Sequence, residues 1–188
     1  MTTKLNSMRL LDARKIPYVA TEYDALREFH SATDAAQLIG APVEAVYKTL
    51  VVLRDPSTTL RLRSGQDLGR APKSGKPLLV LIASQREVDS KLLAQSLGDA
   101  KRKLRMATQR EAESLTGLQV GGISALALLN RGFEIVLDEP ALALDQIHIS
   151  AGQRGVDLRL AVKDLIAVTN ARVVRATSVE REARGDQP

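Results

Sequence analysis

The chain has 188 residues, 44% of them hydrophobic, enough to fill the core of one domain rather than two. It holds no cysteine and only two histidines, His30 and His148, which excludes disulfide scaffolds, thiolate nucleophiles, Fe–S clusters and three-histidine metal sites. The formal net charge of +5 permits a polyanionic partner without requiring one.

The spacing of Leu5, Met8 and Leu11 predicts a helix over residues 5–14, stopped by Pro17, and residues 18–23 read as a short strand. Ser31 or Thr33 can cap a helix through Ala35, Ala36, Leu38 and Ile39, closed by Gly40. Pro42 suits the first turn of another short helix, through Val46. The apolar runs 50–53 and 78–83 are too short for helices and read as central strands buried on both faces. Asp89 can cap a helix ended by Gly98, and Thr108 with Glu111 has the spacing of a capping box before a helix ended by Gly117. Residues 134–137 and 146–150 read as strands, 162–168 as a helix, and 172–176 as a last strand. The domain is expected to span 1–177, with 178–188 as a charged tail.

Residues 55–77 stand apart. They join the two best strand candidates with three Pro, three Gly and few apolar residues, which predicts a flexible insertion at a hairpin tip. They also carry five basic and two acidic residues, so more than half of the net charge belongs to the insertion. The basicity is therefore weak evidence for nucleic acid. The basic run 101–105 can contact phosphate or form a solvated face beside a strand. The sequence lacks a membrane-length apolar run and a signal-peptide core, so a soluble, cytoplasmic protein is expected.

Three clusters can carry chemistry. Lys48, in Val46-Tyr47-Lys48-Thr49-Leu50, either reaches solvent or faces a polar cavity, where it would bind phosphate or carboxylate as a point charge. Gly121 and Gly122, before Ile123 and Ser124, either form an ordinary turn or aim backbone N–H groups at a substrate oxygen. Ser150, Ala151 and Gly152 end a strand that either exits to a plain loop or adds a hydroxyl to the same cavity. His148 alternates with Ile147 and Ile149, which places it on the outward face of that strand.

In order and spacing, these stretches together with Val136-Leu137-Asp138-Glu139 resemble the YbaK/EbsC-type aminoacyl-tRNA deacylases, a family that includes the editing domain of bacterial prolyl-tRNA synthetases. The likeness runs from about Leu5 to Ala176, interrupted only by the insertion. It implies a mixed α/β fold with a central barrel-like sheet wrapped by helices, and a pocket for the aminoacylated 3′ end of tRNA. The implied activity is trans-acting deacylation of mischarged tRNA, Cys-tRNA(Pro) or Ala-tRNA(Pro), with no cofactor, metal or membrane. Prolyl-tRNA synthetase enters as a candidate partner. In cysteine-specific members the substrate's own thiol attacks the ester.

By position, the resemblance makes Lys48 the essential lysine, holding the terminal adenosine or its phosphate. It assigns Gly121, Gly122, Ile123 and Ser124 to the loop at the aminoacyl ester, Thr49 to substrate binding, Ser150, Ala151 and Gly152 to the opposite wall, and Tyr23 with Phe29 or His30 to the entrance, where His30 is either a helix-start residue or a substrate contact. Asp138 is either a site-shaping acceptor or a turn former. Two positions depart from the family pattern: Ala125 where Pro is common, and Ala151 where Gly is usual, a methyl expected to narrow the pocket. A catalytically silent tRNA- or synthetase-binding module and a small-molecule esterase are the competing readings.

Overall fold

The computed structural model describes residues 4–24, 32–54, 75–99 and 103–178. Phe29, His30, Lys101, Arg102, most of the 55–77 insertion and nearly all of the tail lie outside the described residues. The elements run α1 (Asn6–Ala13), β1 (Tyr18–Glu22), α2 (Ala32–Ile39), a 3-10 turn (Val43–Ala45), β2 (Val46–Arg54), β3 (Leu78–Ala83), α3 (Ser90–Ser96) and β4 (Leu104–Met106). There follow α4 (Gln109–Thr116), β5 (Glu134–Asp138), a 3-10 turn (Glu139–Ala143), β6 (Gln146–Gln153), β7 (Val156–Ala161), α5 (Val162–Thr169) and β8 (Arg172–Val174).

Local chemistry accounts for the helix ends. Asp89 accepts hydrogen bonds from the N–H groups of Lys91 and Leu92, satisfying two donors that α3 itself leaves free. Thr108 and Glu111 form the reciprocal capping box expected of α4. The helix predicted from Pro42 shrinks to the 3-10 turn, because Val46 and Tyr47 are drawn into β2 by pairing with β6. β2 is accordingly longer than its apolar run. β4 and β7 add to the expected elements, and Leu104 and Arg105 of the basic run lie in a strand.

The eight strands form one mixed sheet ordered β1-β7-β6-β2-β3-β5-β8, with β4 also on β2. β2–β6, β3–β5 and β5–β8 pair in parallel and the remaining neighbours are antiparallel. Every residue of β3 is buried, as a strand covered on both faces requires. One face packs Met8 and Leu11 of α1 and Leu165 and Val168 of α5 against Leu81, Leu137, Ile149 and Leu158. The other packs Leu93 and Ala94 of α3 against Val52, Val80, Ile82 and Val136. Arg54, at the insertion's base, is nearly buried. It donates to the Lys76 carbonyl at 2.9 Å and to Glu134 at 2.6 Å, and pairs with Asp99 at 2.9 Å.

One irregularity positions the site. β3 occupies one edge of β2, while β6 takes the other only at Val46 and Tyr47, and β4 takes it only from Val52 to Arg54. Residues 48–50 therefore have no strand partner on that edge among the described residues. The sheet is split there.

Candidate functional site

The split opens into a cavity of about 330 Å³. Lys48, Thr49 and Leu50 of β2 form one wall, Ser150 of β6 and Asp157 of β7 the other. Tyr23, Gly121, Ile123 and Arg154 lie around it. Asp157 and Ser150 are paired across β6–β7, with Thr21 of β1 on the other side of Asp157. A lysine and an aspartate thus share one cavity without forming an ion pair.

Lys48 is half-buried. Its Nζ donates to the Ser84 carbonyl at 2.8 Å, leaving two N–H donors for a ligand. Ser84 is itself fixed, its N–H donating to the Val46 carbonyl and its Oγ to the Val43 carbonyl. Burial lowers the lysine pKa below its ordinary value, and Glu87 opposes that shift. Asp157 is 5% exposed. Burial raises its carboxyl from 3.8 to about 6, partly offset by the hydrogen bond it accepts from the Tyr23 hydroxyl. The same burial and the neighbouring carboxylate push the Tyr23 phenol up. The Thr49 hydroxyl oxygen is buried without a hydrogen-bond partner among the described residues.

The glycine loop approaches from α4. Gly121 has φ +90°, and at Gly122 a Cβ would lie 2.8 Å from the Arg154 nitrogen and 3.0 Å from the Gln153 carbonyl carbon. Glycine is needed there because loop and hairpin backbones touch. The N–H of Gly122 donates to the Gln119 carbonyl, so it is spent within the loop. No hydrogen bond among the described residues uses the N–H of Gly121 or Ile123.

The candidates named from sequence divide accordingly. Tyr23, Lys48, Thr49, Gly121, Ile123 and Ser150 come together at the cavity. Gly122 is buried behind the loop, and the Ser124 hydroxyl, also buried, accepts from the Ala127 N–H. Asp138 belongs elsewhere: its carboxylate accepts from the N–H groups of Ala176 and Thr177 and from the Thr177 hydroxyl, tying β5 to the chain after β8. Ala151 and Gly152 face a second cavity, of about 220 Å³, beside Leu5, Asn6 and Leu118. Strand alternation turns the Ala151 methyl into the core, away from Ser150, so it does not narrow the first cavity. Asp157 and Arg154 were missed. The period-two pattern Val156-Asp157-Leu158-Arg159-Leu160 marks the strand that presents Asp157.

Among the described residues no group of three or more His, Asp or Glu side chains is placed to hold a metal, and no helix is long and apolar enough to cross a membrane. Residues 27–168 match a family model described as the aminoacyl-tRNA editing domain. Over 177 residues the chain is 28% identical to the Enterococcus faecalis protein named as a Cys-tRNA(Pro)/Cys-tRNA(Cys) deacylase, EbsC, covering 94% of this chain and 95% of that one. A crystal structure described as a trans-editing enzyme for prolyl-tRNA synthetase superposes with a TM-score of 0.68 at 24% identity, covering 95% of this chain and all of that one. A hypothetical protein of known structure does so with a TM-score of 0.72 at 21% identity, covering 92% and 99%. The two structures establish the fold, and the family match covers most of the sequence: the chain belongs to the aminoacyl-tRNA editing domain family.

Proposed function

We propose that this protein is a trans-acting aminoacyl-tRNA deacylase that removes a small, wrongly attached amino acid, with Cys-tRNA(Pro) as first substrate and Ala-tRNA(Pro) as second. The observation that carries the reading is the shared cavity of Lys48 and Asp157, a cationic group and a buried anionic group that do not neutralise each other. An aminoacylated 3′ end has the complementary charges, phosphate on the nucleotide and ammonium on the amino acid. Lys48 takes the terminal nucleotide's phosphate as a point charge. Asp157, ionised above about pH 6, takes the α-ammonium. The ester carbonyl then lies toward the glycine loop, where the free N–H groups of Gly121 and Ile123 can stabilise the developing oxyanion.

The ester is already activated, so orientation does most of the work. Water or a substrate thiol attacks the carbonyl carbon, the acyl–oxygen bond breaks, and the ribose hydroxyl leaves with a proton. The choice of Cys-tRNA(Pro) draws on the similarity to EbsC. Prolyl-tRNA synthetase is the partner that would deliver such a substrate.

The test is a deacylation panel of cysteinyl-, alanyl- and seryl-tRNA(Pro), each against its cognate tRNA. Turnover fastest on Cys-tRNA(Pro) supports the proposal. Turnover of none of them overturns it in favour of a silent binding module, and equal turnover of simple aminoacyl esters points to a small-molecule esterase.

A further inference from the structure

The rows of side chains on the β1–β7–β6 face continue beyond the cavity. One row holds Thr21, Asp157 and Ser150; the next holds Val19, Arg159 and His148, each two residues along its own strand and on the same face. The two rows are about 7 Å apart along the strands. Arg159 is exposed and makes no hydrogen bond or ion pair among the described residues. His148, directly opposite it in the ladder, is half-buried, and its Nδ1 is buried without a partner. Burial and the Arg159 cation both hold this imidazole to its neutral form. With Nδ1 buried and without an acceptor or donor among the described residues, the neutral ring is assigned its proton on Nε2, which makes His148 a neutral donor beside a cation. Val19, 49% exposed, completes the row with an apolar surface that a base can cover.

We infer that Arg159 and His148 form a second anion subsite, beside the cavity, for a backbone phosphate of the single strand leading to the terminal adenosine. The inference rests on the proposed function, because it needs a polynucleotide end in the first cavity. A phosphate there receives the Arg159 guanidinium and the His148 Nε2–H, giving a polar group to two donors that are otherwise unused. A cation and a donor in one row beside an apolar surface is a pattern that suits a single strand, the phosphate on the polar groups and the base on the apolar one. It reads phosphate spacing and carries no base preference.

The experiment measures equilibrium binding of the trinucleotide CpCpA and of adenosine to the full chain, for the wild type, Arg159→Gln and His148→Gln. The expected result is CpCpA binding weakened about tenfold by Arg159→Gln and severalfold by His148→Gln, with adenosine unchanged. The slope of log affinity against log salt for CpCpA should fall by about 0.7 in Arg159→Gln, the release expected for one phosphate on a single strand. Circular dichroism confirms that each variant is folded. A wild type that binds CpCpA no more tightly than adenosine, or folded variants that bind CpCpA as the wild type does, overturns the subsite. Deacylation of Cys-tRNA(Pro) by the wild type is measured in parallel. Its absence beside intact Arg159-dependent CpCpA binding removes the deacylase reading and leaves the subsite standing, and the reverse pattern removes only the subsite.

Discussion

Replacing Asp157 by Asn should make the protein more stable and much less active. The carboxyl is 5% exposed, and burial lifts it from 3.8 to about 6. At 1.36 kcal/mol for each tenfold change, keeping it ionised in the folded state costs about 3 kcal/mol at neutral pH. The sign follows from proton binding: the folded chain holds this proton more tightly than the unfolded chain. Stability attributable to Asp157 is therefore lost as pH rises from about 4 to about 6 and stays lost above. Asn keeps the shape and can still accept from the Tyr23 hydroxyl, yet carries no charge to desolvate. Asp157→Asn should gain up to about 3 kcal/mol in denaturant unfolding at pH 8, and the gain should vanish near pH 4. Deacylation should fall about a hundredfold in kcat/KM as the ammonium loses its partner. In the wild type, activity should rise about tenfold between pH 5 and pH 7 as the carboxylate ionises, and this limb should be absent in the variant. A variant that is destabilised at pH 8, or that keeps wild-type activity, would refute the reasoning.

The loop and the base of the insertion give two further expectations. Gly122→Ala places a methyl 2.8 Å from the backbone nitrogen of Arg154, which cannot move aside as a flexible side chain would. Melting should report a loss of about 1–3 kcal/mol, and deacylation should fall as the loop lifts from the hairpin. Arg54→Ala takes the guanidinium from Asp99 and leaves Glu134 with Arg172 as its cation, with a loss of about 1–3 kcal/mol in chemical unfolding. Its kcat for deacylation should stay close to wild type, because Arg54 lies at the far end of β2 from Lys48.

Much of the fold is legible residue by residue. The all-apolar run 78–83 becomes a fully buried strand, and Asp89, Thr108 and Glu111 cap the helices that their spacing announces. These are local signals, fixed by the chain's own neighbours. The short helix through Val46 fails as an expectation because a tertiary contact, the parallel pairing with β6, overrides local propensity. β7 shows a clean alternation, yet it follows the glycine turn so closely that it is easily absorbed into the preceding loop, and Asp157 is lost with it. At the site, Lys48, Gly121 and Ser150 lie near one another in space although they come from distant stretches, and the resemblance brings them together. Sequence order alone gives no side-chain direction. That is why Ala151 and Gly152 appear as wall of the first cavity while they border the second, and why Asp138 appears as a site residue while it ties β5 to the C-terminal segment.

The central claim is that Lys48 anchors the nucleotide end of an aminoacyl ester in the split of the sheet. The most direct measurement is single-turnover deacylation of Cys-tRNA(Pro) by Lys48→Ala, beside a melting curve of the same preparation. Lys48 is half-buried and, among the described residues, bonded only to the Ser84 carbonyl, so the variant should melt within a few degrees of wild type. The account predicts that its deacylation rate falls by at least two orders of magnitude. A folded Lys48→Ala protein that deacylates at the wild-type rate would contradict it.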